Sequence, residues 1–146
     1  MNDEMIEQYI ARLETAFQTA MRHIVPQLNT DITPVQFFIL KIVEQSKRCT
    51  PSQLAGLLNV KPSAITTMIN RLVKHEYVHR ERDEQDRRVV FISLSEKGKK
   101  VLHETEEKRR KVMKQYLSHL TEEELKQFVS IYEKLTHAII TGGESR

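Results

Sequence analysis

Two groups of residues in the middle of the chain have types and spacings that could do chemistry. The first is His75-Glu76-Tyr77-Val78-His79, which matches the zinc-peptidase pattern H-E-x-x-H. On a continuous helix, both imidazoles share a face and can hold one metal ion, with the glutamate beside the metal-bound water. The second group is polar and basic. Ser63, Thr66, Thr67, Asn70, Arg71 and Lys74 fall on one side of a helical period. Arg80, Arg82, Arg87 and Arg88 follow, interleaved with Glu81, Asp83, Glu84 and Asp86. Compact hydrogen-bonding side chains suit base edges and phosphates. An arginine oriented by a neighbouring aspartate suits a narrow minor groove.

The elements that carry these residues separate the two chemistries. Ile65, Met68, Ile69, Leu72 and Val73 give an apolar helical spacing over Pro62–His75 that stops at Val73. Val78–Arg82 and Arg88–Leu94 then read as strands, joined by the polar link Asp83–Arg87. In a strand, a four-residue step separates two imidazoles too widely for one tetrahedral zinc. No third ligand stands nearby, so a zinc peptidase is only an alternative; no metal, cofactor or enzymatic activity is expected. Upstream, Thr50-Pro51-Ser52-Gln53 opens a shorter helix to Leu58 that breaks near Asn59, and Val60 fits an apolar plug before the next helix. Helix, turn, helix and charged hairpin together form a shape for reading duplex DNA.

Residues 3–28 read as one long helix with Ile6, Ile10, Leu13, Phe17, Met21, Ile24 and Leu28 in a stripe, and a second subunit is the economical cover for it. Thr33-Pro34-Val35-Gln36 opens a helix whose Phe37, Phe38, Leu40, Ile42 and Val43 predict burial on most sides, fading at Gln45–Arg48. Ser95 caps a helix over 95–118, in which the polar run His103–Lys111 predicts a solvated strut. Thr121-Glu122-Glu123-Glu124 opens a last striped helix that Gly142-Gly143 ends, with Glu144–Arg146 frayed.

Composition sets outer bounds. The chain has 146 residues, 39% hydrophobic and 29% charged, with net charge +3 and pI about 9.0, so it permits nucleic-acid binding without demanding it. Cys49 is the single cysteine, which rules out an intramolecular disulfide and fits a reducing cytoplasm. The acidic N-terminus is no signal peptide, and no apolar run reaches membrane-span length, so a cytoplasmic protein with no membrane partner is expected.

The order of elements, the stretch from Leu54-Ala55-Gly56-Leu57-Leu58 to Arg71-Leu72-Val73, the wing Asp83-Glu84-Gln85-Asp86-Arg87-Arg88 and the following Ile92-Ser93-Leu94-Ser95-Glu96-Lys97-Gly98 resemble the MarR family of bacterial transcription regulators. The resemblance implies a mainly α fold: a winged helix-turn-helix with long N- and C-terminal dimerisation helices and a small β-hairpin wing. Residues 33–94 would form the DNA-binding region, and 1–32 with 95–146 the helical dimerisation region, in one continuous structural domain. A homodimer would bind a pseudo-palindromic operator in double-stranded DNA and repress transcription, released by a small amphipathic or phenolic effector or by thiol oxidation. By position, Ser63, Thr66, Thr67, Asn70, Arg71 and Lys74 would face DNA from the recognition helix. Arg88 would enter the minor groove, oriented by Asp86, and Arg87 would touch phosphate. Phe17, Phe37 and Phe38 would line the effector pocket.

Two departures accompany the resemblance. Glu76 stands where the family commonly has Gly, and no cysteine lies in the first helix. The remaining alternative is a protein-interaction dimer that does not bind DNA.

Overall fold

The computed structural model describes residues Met1–Gly142, so the expected fraying of Glu144–Arg146 lies outside the described residues. The elements run α1 (Asp3–Leu28), α2 (Pro34–Ser46), β1 (Arg48–Cys49), α3 (Pro51–Leu58), α4 (Pro62–Lys74), β2 (Val78–Arg82), β3 (Val90–Leu94), α5 (Glu96–Leu117) and α6 (Glu122–Ile140). The fold is mainly α with a small antiparallel sheet, as the sequence predicts. Among the described residues no helix is long and apolar enough to cross a membrane.

Packing divides the chain into two compact units, Met1–Arg109 and a second from Arg110 on. The division falls inside α5. The cause lies in the run His103–Lys111, which is not a solvated strut over its first two turns. Thr105 is buried and donates to the Val101 carbonyl at 2.7 Å. Glu106 pairs with Lys41 of α2, and His103 contacts Glu44 at 2.9 Å. The Arg109 guanidinium lies 4.3 Å from the centre of the Phe37 ring, and Lys108 donates to the Asn29 carbonyl at the end of α1 at 2.9 Å.

Three helices start as their sequences dictate. Thr33, Thr50 and Thr121 each accept from the backbone N–H three residues on, and Gln36, Gln53 and Glu124 reach back to the cap N–H, forming reciprocal capping boxes. The core of the first unit gathers Ile39, Leu40 and Val43 of α2, Leu54 of α3, Ile65, Ile69 and Leu72 of α4, Ile92 of β3 and Leu102 of α5. One residue expected inside is not: Phe38 is 50% exposed, packed edge-on against Phe37 beneath the Arg109 guanidinium.

The sheet has the order β1-β3-β2. Arg48 and Cys49 pair with Ser93 and Ile92, a strand that the sequence does not announce. In the hairpin, Val78 pairs with Leu94 and Arg82 with Val90. Strand β3 therefore begins at Val90, and Arg88–Val89, expected in the strand, belong to the turn.

The junction between α4 and β2 sets where the hairpin stands relative to the helix. Glu76 takes a left-handed backbone, φ 62°, the conformation expected of the family's Gly. Its N–H reaches the Val73 carbonyl and the Tyr77 N–H reaches Leu72, at 2.9 and 3.0 Å, which satisfies the last carbonyls of α4 in a Schellman motif. A side chain in that conformation costs about 1 kcal/mol against glycine. The exposed Lys97–Glu76 pair, at 3.9 Å, returns little of it. Glu76→Gly is therefore expected to raise stability by about 1 kcal/mol, read as a higher urea midpoint with an unchanged m-value.

The start of α5 clamps the same junction. Ser95 donates its hydroxyl to the Glu76 carbonyl, accepts from the Gly98 N–H at 2.9 Å, and sends its own N–H to the Tyr77 carbonyl at 3.0 Å. A Cβ on Gly98 would stand 2.0 Å from the Tyr77 carbonyl oxygen, so α5 approaches this turn as closely as it does only because residue 98 has no side chain.

The stripes of the outer helices bury almost nothing within the subunit. Helix α1 has no buried residue, and Leu13, Phe17, Met21 and Val25 are exposed along it. In the second unit Val112 is buried, while Phe128, Ile131, Tyr132, Leu135, Ile139 and Ile140 of α6 are exposed.

Candidate nucleic-acid interface

Helix α4 buries Ile65, Ile69 and Leu72 and turns Ser63, Thr66, Thr67, Asn70, Arg71 and Lys74 to solvent. Its 3.6-residue period places these six on one outer face. The hydroxyls are not idle. Thr66 donates to the Pro62 carbonyl at 3.0 Å and Thr67 to Ser63 at 3.2 Å. With the hydroxyl protons so engaged, each threonine offers lone pairs and a methyl group outward, a set suited to exocyclic amines and thymine methyls. Arg71 and Lys74 occupy the last turn, where the helix dipole favours cations.

The wing tip is organised by its acids. Asp83 accepts from the Gln85 N–H at 3.2 Å, and Asp86 accepts from the Arg88 N–H at 3.1 Å. Asp86 also takes both arms of the Arg88 guanidinium, Nε at 3.1 Å and Nη2 at 3.3 Å, as a fork. Arg88's side-chain and backbone hydrogen bonds hold the Asp86 carboxyl below its usual value. The Arg88 side chain remains 92% exposed, so the fork aims the cation and leaves it free to meet a partner. Arg87 is exposed beside it, and its carbonyl accepts from Arg82 at 2.8 Å. Backbone bonds Asp83 N–H to Val89 and Val89 N–H to Asp86, both 3.0 Å, close the turn.

The MarR family model matches residues 32–90. Over 140 residues the chain is 32% identical to the HTH-type transcriptional repressor MdtR of Bacillus subtilis (strain 168), covering 92% of this chain and 90% of that protein. This chain belongs to the MarR family. Among solved structures, a MarR family protein from Bacillus stearothermophilus is 27% identical with a TM-score of 0.82, over 96% of this chain and 99% of that one. A MepR-like protein complexed with pseudoligands is 37% identical with a TM-score of 0.58, over 96% of each chain.

In this MarR-family subunit the H-E-x-x-H residues do not share a helix. Helix α4 ends at Lys74, His75 caps it, Glu76 takes the left-handed turn and His79 lies in β2. The His75 ring stacks on Tyr77 at 5.6 Å instead of facing His79 across a helical turn. The paired-ligand geometry that zinc hydrolysis needs is absent from these five residues.

The three aromatics proposed for a ligand occupy different surroundings. Phe37 is buried and Phe38 half-exposed, edge-to-face at 5.7 Å, with Arg109 over both rings. Phe17 stands 67% exposed on α1. The hollow beside Phe37, lined by Leu28, Ile32, Pro34, Thr105 and Arg109, has a volume of about 20 Å³, room for one water.

Sequence reasoning named Arg80 among the hairpin arginines but gave it no role. Its guanidinium donates to the Asn70 amide oxygen, tying the hairpin to the reading face of α4. The signal was the two-residue strand period, since Arg80 shares a sheet face with Val78, which is buried in the core shared with α4.

Cys49 is buried in β1, and desolvation raises its thiol above the usual value. The thiolate is thus scarcer at neutral pH than for a free cysteine, and reactivity returns only as pH rises past the ordinary thiol range. Native protein at pH 7.5 is expected to react with a disulfide reagent at least about tenfold more slowly than protein in urea. Equal rates would place the thiol at the surface.

Proposed function

We propose that this MarR-family protein is a homodimeric, sequence-specific binder of duplex DNA that represses transcription from a pseudo-palindromic operator. The observation that carries it is the Asp86–Arg88 fork on an exposed wing tip, set one hairpin away from the exposed polar face of α4. Likeness to a transcriptional repressor over nine-tenths of the chain supports the same reading.

In this account Ser63, Thr66, Thr67, Asn70 and Arg71 read the major groove, Lys74 and Arg87 meet phosphates, and Arg88 enters the minor groove, oriented by Asp86. Residues 33–94 read DNA, while 1–32 and 95–146 join the subunits. The exposed stripes of α1 and α6 support that division, because apolar surface of this extent on a lone subunit marks an interaction site. The protein acts in the cytoplasm and not as an enzyme. A small amphipathic or phenolic effector bound near Phe17, Phe37 and Phe38 of the assembled dimer adjusts the spacing of the two readers. The likeness to a MepR-like protein solved with pseudoligands supports such a site.

The test is fluorescence anisotropy on duplexes tiling the chain's own upstream region, at fixed salt, beside light scattering of the free protein. A dimer that prefers one tile over random duplex at least about a thousandfold is expected. Equal affinity for every duplex would favour the protein-interaction dimer, and a monomer would remove the assembly.

A further inference from the structure

The contact between Arg80 and Asn70 carries information about what α4 can read. A side-chain amide has two unlike ends, an oxygen that accepts and a nitrogen that donates twice. A guanidinium has donors only. When Arg80 of β2 reaches Asn70 of α4, it can therefore meet only the oxygen, and the chemistry of the pair fixes the amide orientation. The Asn70 nitrogen then faces away from the arginine. Both residues are solvent-exposed, and Asn70 lies one turn beyond Thr66 and Thr67 on the same outer face. Drawing charge-assisted density toward the oxygen also polarises the amide and strengthens its N–H donors.

We propose that Arg80 is a positioning residue for base readout, holding Asn70 so that its amide nitrogen donates into the major groove. Asn70 then selects a base edge rich in acceptors, a purine N7, guanine O6 or thymine O4. The oxygen is no longer free to complete the two-point pairing in which asparagine accepts from adenine N6 while donating to N7. Arg80 touches no base in this account; its effect on specificity passes through Asn70. The inference rests on the DNA-reading function and refines one position of it.

Selection from a pool of centrally randomised duplexes, at fixed salt, tests it with four full-length proteins: wild type, Arg80→Met, Arg80→Lys and Asn70→Asp. Wild type is expected to enrich a two-fold symmetric motif. Arg80→Met keeps the alkyl stem but loses every donor and frees the Asn70 oxygen, so one symmetric pair of columns loses about tenfold of its preference for acceptor edges and admits adenine. The rest of the motif persists. Arg80→Lys retains a donor cation and restores those columns. Asn70→Asp keeps the pair with Arg80 but has no N–H to offer, so the same columns move from acceptor edges to the amine of cytosine or adenine.

This last variant does not depend on how well the methionine variant folds. An unchanged motif in Arg80→Met, or a uniform weakening of all sequences, overturns the proposal alone and makes Arg80 a bystander or a phosphate contact. No enriched motif in wild type overturns the DNA-reading function itself, and this proposal with it.

Discussion

Replacing Arg88 with alanine is expected to lower operator affinity about a hundredfold while leaving the urea unfolding midpoint and the dimer unchanged. Among the described residues the Arg88 side chain bonds to Asp86 alone, two residues away, and it is almost wholly exposed. An ion pair of that kind contributes little to folding. Bound to DNA, an oriented arginine in a narrow groove is worth about tenfold per contact, and a dimer with two wings loses it twice. Asp86→Asn separates charge from aim, since the cation stays and the ionic fork does not. About a tenfold loss is expected there, with little change in the salt slope, because the number of phosphate-facing cations is unchanged. The pH dependence follows from the lowered carboxyl. A depressed acid is fully ionised above its ordinary value and loses the pair only as pH falls through the lower folded value. Affinity owed to this fork should therefore be flat between about pH 5 and pH 8. Equal anisotropy titrations for Arg88→Ala and wild type would sink the assignment.

The second large effect concerns two glycines given the same substitution. Gly98→Ala places a methyl group 2.0 Å from the Tyr77 carbonyl oxygen, a backbone atom that cannot swing aside. Either α5 lifts off the junction or the turn after α4 deforms, and the Ser95 bonds to Glu76 and Gly98 are lost with it. A loss of about 3–5 kcal/mol is expected, near the limit for one substitution, with operator binding lost because hairpin and reading helix no longer hold their angle. Gly56 lies in α3 with nothing within 4 Å of where its Cβ would stand. Gly56→Ala should raise stability by about 0.5–1 kcal/mol through helix propensity. Urea melts of both variants decide it; a stable Gly98→Ala would show that the close approach is not required.

Much of the fold was legible because its signals are local. Thr-Pro-x-Gln twice and Thr-Glu-Glu-Glu once spell out capping boxes, and all three form. The left-handed turn at Glu76 was suggested by the resemblance alone, through the Gly that the family commonly has there. The misses have physical causes. Two residues cannot show a strand period, so β1 left no trace. Lys108 and Arg109 read as solvated, yet long cationic stems and planar guanidinium heads pack against aromatics and carbonyls without any apolar letter to announce it. Phe38 read as core because hydrophobicity reports what prefers burial, not whether a partner surface exists in one subunit. At the interface, the reading face of α4 came from residue type and spacing, and the Asp86–Arg88 fork from the resemblance to the MarR wing. The bond between Arg80 and Asn70 depended on the phase of a hairpin ten residues away.

Strand β1 is short, but it changes what the sheet can do to other molecules. Pairing with Arg48 and Cys49 covers one flank of β3 and β2 covers the other, so the most apolar strand has little edge left to offer. The outer edge falls to β2, whose residues after Val78 are His79, Arg80, Glu81 and Arg82. A foreign strand docking there would have to dehydrate three full charges before gaining a ladder of backbone bonds. The same side chains that keep the hairpin wet thus protect it against intermolecular β-aggregation.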